Sequence, residues 1–307
     1  MDMVSCRVLA LTPFAGDCQY SYVRYVSVAR LCQFFPSVNP KAALKWKNRG
    51  PKIVEEIVRY APDVVCLQEV DAFDDFLAPQ LAMHQYAGVW QKKSDRKQDG
   101  VAIFWNTQRF ALEARDHVEF GLKEGVGLYV CLRQQNGEPP LCIANTHLFW
   151  DPAMEYIKLA QSEIYLNRAA AFAAGRPLIV CGDLNSMPGS DCYNLYSQKA
   201  ATHTYTPVCN NEVTGEIATD ADAVTTSYAQ PLNLRPAYDP LPDFTTLTDD
   251  FRGMLDHIFL TPRVCALAHL DMFSEETILE EKSLPSSRYP SDHMACMALL
   301  QVTSPEQ

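Results

Sequence analysis

The chain has 307 residues, 48% of them hydrophobic, and a formal net charge of −11. That size supplies one large core or two small ones, and the acidic balance excludes a nucleic-acid binder that relies on a broad basic surface. No apolar run reaches the length of a membrane-spanning helix. The 11 cysteines include no C-x-x-C pair, and Cys66, Cys142, Cys181 and Cys296 lie inside apolar runs. This argues against a zinc site or a disulfide framework and for a reducing compartment, with the cytoplasm favoured over mitochondrion or nucleus.

Residues 1–20 are weakly patterned and read as an N-terminal extension. Their apolar stretch Val8-Leu9-Ala10-Leu11 follows Arg7, lies between Asp2 and Asp17, and precedes no cleavage signal, so a targeting peptide is the lesser reading. Residues 22–29 alternate and are rich in β-branched and aromatic side chains, which predicts a strand. Residues 42–60 are predicted helical, with Ile53, Val54, Ile57 and Val58 on one face and a break or restart at Gly50-Pro51. An apolar strand over 63–68 delivers Glu69. Lys92, Lys93, Arg96 and Lys97 form a basic run that reads as a solvated loop or as a guide for a phosphate backbone. Asp99-Gly100 leads into a strand over 101–105.

Strands over 128–133 and 141–146 flank the turn signal Asn136-Gly137, and the second delivers His147. A helix over 154–172 follows. The run Pro177-Leu178-Ile179-Val180 then ends in Cys181-Gly182-Asp183-Leu184-Asn185-Ser186, and a short helix over 190–196 comes next. Residues 201–243, rich in Thr, Asp, Asn and Pro, read as a long loop or lid. Runs over 254–260, 264–272 and 294–302 close the chain, the first carrying Asp256 and the last preceded by Ser291-Asp292-His293.

The informative feature is what these strands carry at their ends. Asp183 and Asn185 lie two residues apart at a strand terminus, one able to take a proton or hold a metal, the other able to donate hydrogen bonds to a phosphate oxygen. Alone, that pattern is an ordinary turn. Glu69, His147, Asp256, Asp292 and His293 occupy comparable positions. A charge buried at a strand end costs stability unless it is paired or binds metal, so the repetition predicts one converging site. Strands joined by hairpins with helices between them predict an α/β domain of two packed sheets with helices outside.

Five motifs, C-L-Q-E-V, T-H-L-F-W-D-P, C-G-D-L-N-S, F-R-G-M-L-D-H-I-F and Y-P-S-D-H, occur in that order. Together they resemble the endonuclease/exonuclease/phosphatase superfamily. More narrowly, they resemble its deadenylase branch of carbon-catabolite-repression deadenylases, nocturnin, Angel proteins and 2′,5′-phosphodiesterases. Ala43-Leu44-Lys45-Trp46 with Arg49, and Gln98-Asp99-Gly100-Val101-Ala102, match the same branch. The resemblance runs from about Tyr22 to Val302 and implies a four-layer α-β-β-α sandwich of two mixed sheets, with the catalytic domain over 21–303.

The resemblance also implies a hydrolase that cleaves phosphodiesters with Mg²⁺, Mn²⁺ being able to substitute. Glu69 and Asp292 would serve the metal. Asp183 would orient or deprotonate the attacking water, and Asn185 and His147 would stabilise the transition state. Asp256 would pair with His293 and favour its charged form. Pro152 and Phe251 match positions that hold an adenine, and Asp99 would contact substrate. The family's first strand carries an asparagine ligand; its best match here is Val26, which cannot bind a hard cation.

The function implied is a 3′→5′ exoribonuclease acting on RNA with an adenylate 3′ end, or on oligoadenylate. A 2′,5′-oligoadenylate phosphodiesterase, a nucleotide-cofactor phosphatase and a catalytically weakened RNA-binding or scaffold relative are the alternatives. The leucine-rich repeats that dock some relatives into a large deadenylase complex are not found, and no membrane partner is implied.

Overall fold

The structure is a computed structural model that describes residues 5–11, 35–38, 41–94, 97–135, 137–206, 209–210, 217–218 and 222–303. The predicted strand over 22–29, and Val26 within it, lies outside these residues. Two six-stranded sheets dominate. The first takes β1 (Ser5–Leu11), β2 (Val64–Val70), β3 (Tyr86–Lys92), β4 (Gly100–Asn106) and, from the end of the chain, β13 (Val264–His269) and β14 (Cys296–Val302), in the order β13-β14-β1-β2-β4-β3. The second takes β5 (Phe110–Glu119), β6 (Val126–Gln134), β7 (Leu141–His147), β8 (Leu178–Asp183), β11 (Arg235–Pro236) and β12 (Asp256–Leu260), in the order β11-β12-β8-β7-β6-β5. A separate hairpin pairs β9 (Ala200–Tyr205) with β10 (Val224–Ala229).

Alternation along the strands explains the layering. Ile143, Ile179, Cys181, Ile258, Cys66 and Ile103 meet between the sheets. The opposite faces of the second sheet, Cys142, Ala144 and Val180, pack on α3 (Glu155–Ala173) and α4 (Asp191–Gln198). Val65, Leu67 and Phe104 of the first sheet pack on α1 (Trp46–Tyr60) and α2 (Ala78–Ala82). The result is the α-β-β-α sandwich. No helix of the described residues is long and apolar enough to cross a membrane.

One polar group interrupts the apolar seam. Asn145 is wholly buried, and its amide donates to the carbonyls of Leu67 and Ala102 in the opposite sheet, both at 3.0 Å, while Gln68 donates to Asn145 Oδ1 at 2.6 Å. This set fastens the sheets together one layer beneath their ends.

Three readings of the sequence are corrected and two strands are added. Residues 5–11 are not part of an extension: they form β1, parallel to β2 and antiparallel to β14. The run is too short to show a period, and its place is fixed by neighbours distant in sequence. α1 runs unbroken through Pro51; the residue before proline resists the helical region because of its Cβ, and Gly50 has none. The segment over 201–243 contains the β9–β10 hairpin, whose hydroxyl rungs Thr202–Ser227 and Thr204–Thr225 face outward. Finally, β3 and β5 add strands at sheet edges, where half-exposed side chains blur the pattern.

Candidate active site

Register places the central groups. His147, Asp183 and Asp256 are Cα partners across β7, β8 and β12 and form one row on the inner face of the second sheet. Asn145, Cys181 and Ile258, each two positions away on the same strand, point inward, so alternation aims all three into the seam where the sandwich opens. Gly182 lets the row close up: its φ is +149°, and a methyl group there would lie 2.1 Å from the Thr146 carbonyl oxygen.

Within the row, His147 Nε2 stands 3.6 Å from Asp183 Oδ2. Burial, and then the charges of Lys93 and His293, hold His147 well below the usual histidine range. Lys93 Nζ lies 3.1 Å from His147 Nδ1. An ammonium only donates, so Nδ1 is the acceptor and the ring proton sits on Nε2, facing the cleft. Lys93 is also 2.7 Å from Asp99 Oδ2, which places Asp99 behind the lysine.

His293 enters from the loop before β14, on the first sheet's side, and its Nδ1 meets Asp256 Oδ2 at 2.6 Å. Thr245 Oγ donates to the same oxygen at 2.6 Å and accepts from the backbone nitrogens of Leu255 and Asp256. Burial alone would lower the His293 pKa, but Asp256 beside it outweighs burial and holds the ring well above its ordinary value. Asp183, Asp256 and His293 present ligand-capable atoms all within 4.8 Å of one another. Burial, then repulsion from Asp256, pushes Asp183 up to about 7; Glu69 adds to the rise.

Glu69 belongs to the first sheet. Leu67 pairs with Ala102 and Val70 with Gly100, so Gln68 and Glu69 together stand opposite Val101 in a bulge. Glu69 adopts φ +53° and is only 6% exposed. A non-glycine residue in that region is costly and clusters at functional sites; here it turns the carboxylate out of the strand's alternation. The buried Arg49 guanidinium donates to the carbonyls of Leu44 and Pro290 and feels the charges of Asp292, Asp71 and Glu69. Burial lowers its pKa to about 10, so it stays charged and offsets these acids.

Asp292 is raised by burial, and its Oδ1 is buried without a hydrogen-bond partner. A buried carboxylate oxygen with no protein donor needs an explanation. A divalent cation supplies one, since Asp292 and Glu69 offer the hard oxygen donors that such ions prefer. The residues present therefore fit a metal.

Asn185 follows the row in a left-handed turn, φ +47°. Its backbone N–H donates to Asp183 Oδ1 at 2.8 Å and its side-chain amide to the Leu148 carbonyl at 3.0 Å. Pro152 and Phe251 lie on exposed segments. Pro152 opens a short helical turn capped by Asp151, and Phe251 is 42% exposed, lying across Gly253, where a methyl group would sit 2.7 Å from its ring.

Sequence reasoning missed Lys158 and saw Lys93 only as one member of a basic run. Lys158 had a signal: it shares the helical stripe of Ser162, Leu166 and Ala169, all buried, which marks a lysine facing inward.

The Endonuclease/Exonuclease/phosphatase family pattern matches residues 32–293. The Ccr4 3′-5′-exoribonuclease subunit of the CCR4-Not complex from Aspergillus niger is 26% identical over 84% of this chain and 48% of its own length. Carbon catabolite repressor protein 4 homolog 1 of Arabidopsis thaliana is 28% identical over 84% of this chain and 53% of its own. The chain thus spans about half the length of these curated relatives. Among solved structures, ANGEL2, a 2′,3′-cyclic phosphatase in complex with adenosine-2′,3′-vanadate, superposes with a TM-score of 0.81 at 23% identity, covering 98% of this chain and 97% of that one. The human nocturnin catalytic domain with bound sulfate gives 0.66 at 24% identity, with 98% and 97% covered; both share the fold. A row of His147, Asp183 and Asp256 faced by Glu69, Asp292 and His293, inside a pattern matched over most of its length, makes this chain a member of the endonuclease/exonuclease/phosphatase family.

Proposed function

We propose that the protein is a Mg²⁺-dependent 3′→5′ exoribonuclease that removes adenylate from RNA ends, with Mn²⁺ able to replace Mg²⁺. The observation that carries this reading is the opposition of two carboxylate groups, Glu69 and Asp292, to the single-rung row of His147, Asp183 and Asp256. The Ccr4-type names of the relatives support the reaction class and the RNA substrate.

Glu69 and Asp292 would hold the ion, which when bound offsets phosphate charge and acidifies water. Asp183 orients the attacking water and accepts its proton through Oδ2, while Oδ1 is held by the Asn185 N–H. The Asn185 amide and the His147 Nε2–H donate to the non-bridging phosphate oxygens. Asp256 keeps the His293 ring charged and fixed, adding positive potential on the far side of the phosphate. Phe251 and Pro152 hold the adenine, and Asp99 acts through Lys93, which sets the His147 tautomer.

The test is product analysis on a panel of short oligoadenylates, 3′,5′-linked, 2′,5′-linked and 2′,3′-cyclic-ended, with Mg²⁺ and with EDTA. Stepwise release of AMP from the 3′,5′ substrate, abolished by EDTA and lowered roughly 10²–10³-fold or more by Asp183→Ala, is expected. Intact 3′,5′ oligoadenylate with Mg²⁺ and Mn²⁺, or undiminished activity of Asp183→Ala, would overturn the reading.

A further inference from the structure

We propose that Lys158 is a positioning residue for the reaction, locking the backbone of Asn185 so that its carboxamide faces the scissile phosphate. The inference rests on the role given above to Asn185.

Lys158 is 2% exposed, and lysine is almost never buried without a partner. Its Nζ donates to the Asn185 carbonyl at 2.8 Å and pairs with Glu155 Oε2 at 2.8 Å. Glu155 in turn accepts the Cys192 backbone N–H through Oε1 at 2.9 Å, one of the nitrogens that the first turn of α4 leaves without a helical partner. One ammonium therefore joins three elements: the start of α3, the start of α4, and the turn between β8 and α4 that carries Asn185.

The turn needs such a hold. Asn185 sits in the left-handed region, and among the described residues no other donor reaches its carbonyl. Left-handed residues persist only where their surroundings over-determine them. Release of the carbonyl frees the Asn185 backbone to relax, and the amide then swings away from the phosphate. Misplacement of a catalytic group by about 1 Å costs on the order of 10²-fold in rate. Lys158 is buried, and among the described residues its ammonium meets only the Asn185 carbonyl and Glu155, so its effect on the site passes through Asn185.

A double-mutant cycle tests this. On a short 3′,5′ oligoadenylate with Mg²⁺, Lys158→Met is expected to lower kcat roughly 10- to 100-fold with KM nearly unchanged, and Lys158→Arg, which keeps a charged donor, to recover part of the loss. The deciding variant is Lys158→Met with Asn185→Ala, expected to be no slower than Asn185→Ala alone. A merely structural role would make the two losses multiply, and that result overturns the proposal, as does full activity of Lys158→Met. If Lys158→Met does not fold, the same cycle is run with Glu155→Gln added, which removes the carboxylate left unpaired. Full activity of Asn185→Ala would instead show that the assignment of Asn185 is at fault.

Discussion

His257 follows Asp256 but points to the outer side of the second sheet, where its Nε2 meets the Ser186 carbonyl at 2.8 Å. Burial lowers its pKa to about 4, against 6.5 for an unburied histidine. Between these values the unfolded chain binds a proton that the native protein refuses, so stability falls as pH drops from 6.5 to 4 and the loss levels off below 4. The full effect is about 3 kcal/mol. His257→Gln removes this term. Urea titrations of both proteins should show the difference in unfolding free energy shifting by about that amount between pH 7 and pH 4 in favour of the variant; a constant difference would show that His257 is not buried neutral. The candidate site groups were legible one residue at a time because each borders an apolar run, as Asp183 ends 178–182 and Asp256 opens 256–260. The helical stripe marks Lys158 as inward-facing, but its contact with Asn185 was not legible, because that partner is a carbonyl, and carbonyls leave no mark in a sequence.

At the scale of elements, the bulge at Gln68-Glu69 and the Asn145 fastening form one device. The bulge breaks the ladder between β2 and β4, and Asn145 supplies donors to Leu67 and Ala102 at the break. Asn145→Leu is expected to destabilise the fold by roughly 3 kcal/mol, since two carbonyls lose buried donors. It should also weaken Mn²⁺ binding, read by titration calorimetry, because Glu69 loses its aim; unchanged metal affinity would separate the fastening from the ligand. The existence of both strands was plain from their apolar runs. The bulge was not, since an extra residue in a strand is visible only against its partner. Likewise Ser5–Leu11 gave no period of its own and takes its place from β2 and β14. The hairpin of β9 and β10 escaped because its outward rungs are threonine and serine, which also populate loops.

Across the whole molecule, the centre is divided between the two sheets. His147, Asp183 and Asp256 hang from one; Glu69, Asp292 and His293 come with the other. The apolar seam between the sheets sets their separation. Ile143→Ala, buried in that seam four residues before His147 on β7, is expected to cost about 2–5 kcal/mol and to leave kcat of the folded fraction unchanged below the melting range, as measured by activity against temperature alongside circular dichroism. In refolding, recovery of far-ultraviolet signal should precede recovery of oligoadenylate cleavage, with the two coinciding only if the sheets form and dock in one step.

The joint ownership of the centre has a consequence for the chain's history in a cell. Ribosomal synthesis yields Glu69 and His147 long before Asp256 and His293, so a nascent or half-melted chain owns an incomplete set of reacting groups. Under the proposed function, cleavage of RNA would switch on only with the closing of the sandwich and stop when it parts, which makes conformational maturity itself the safety catch.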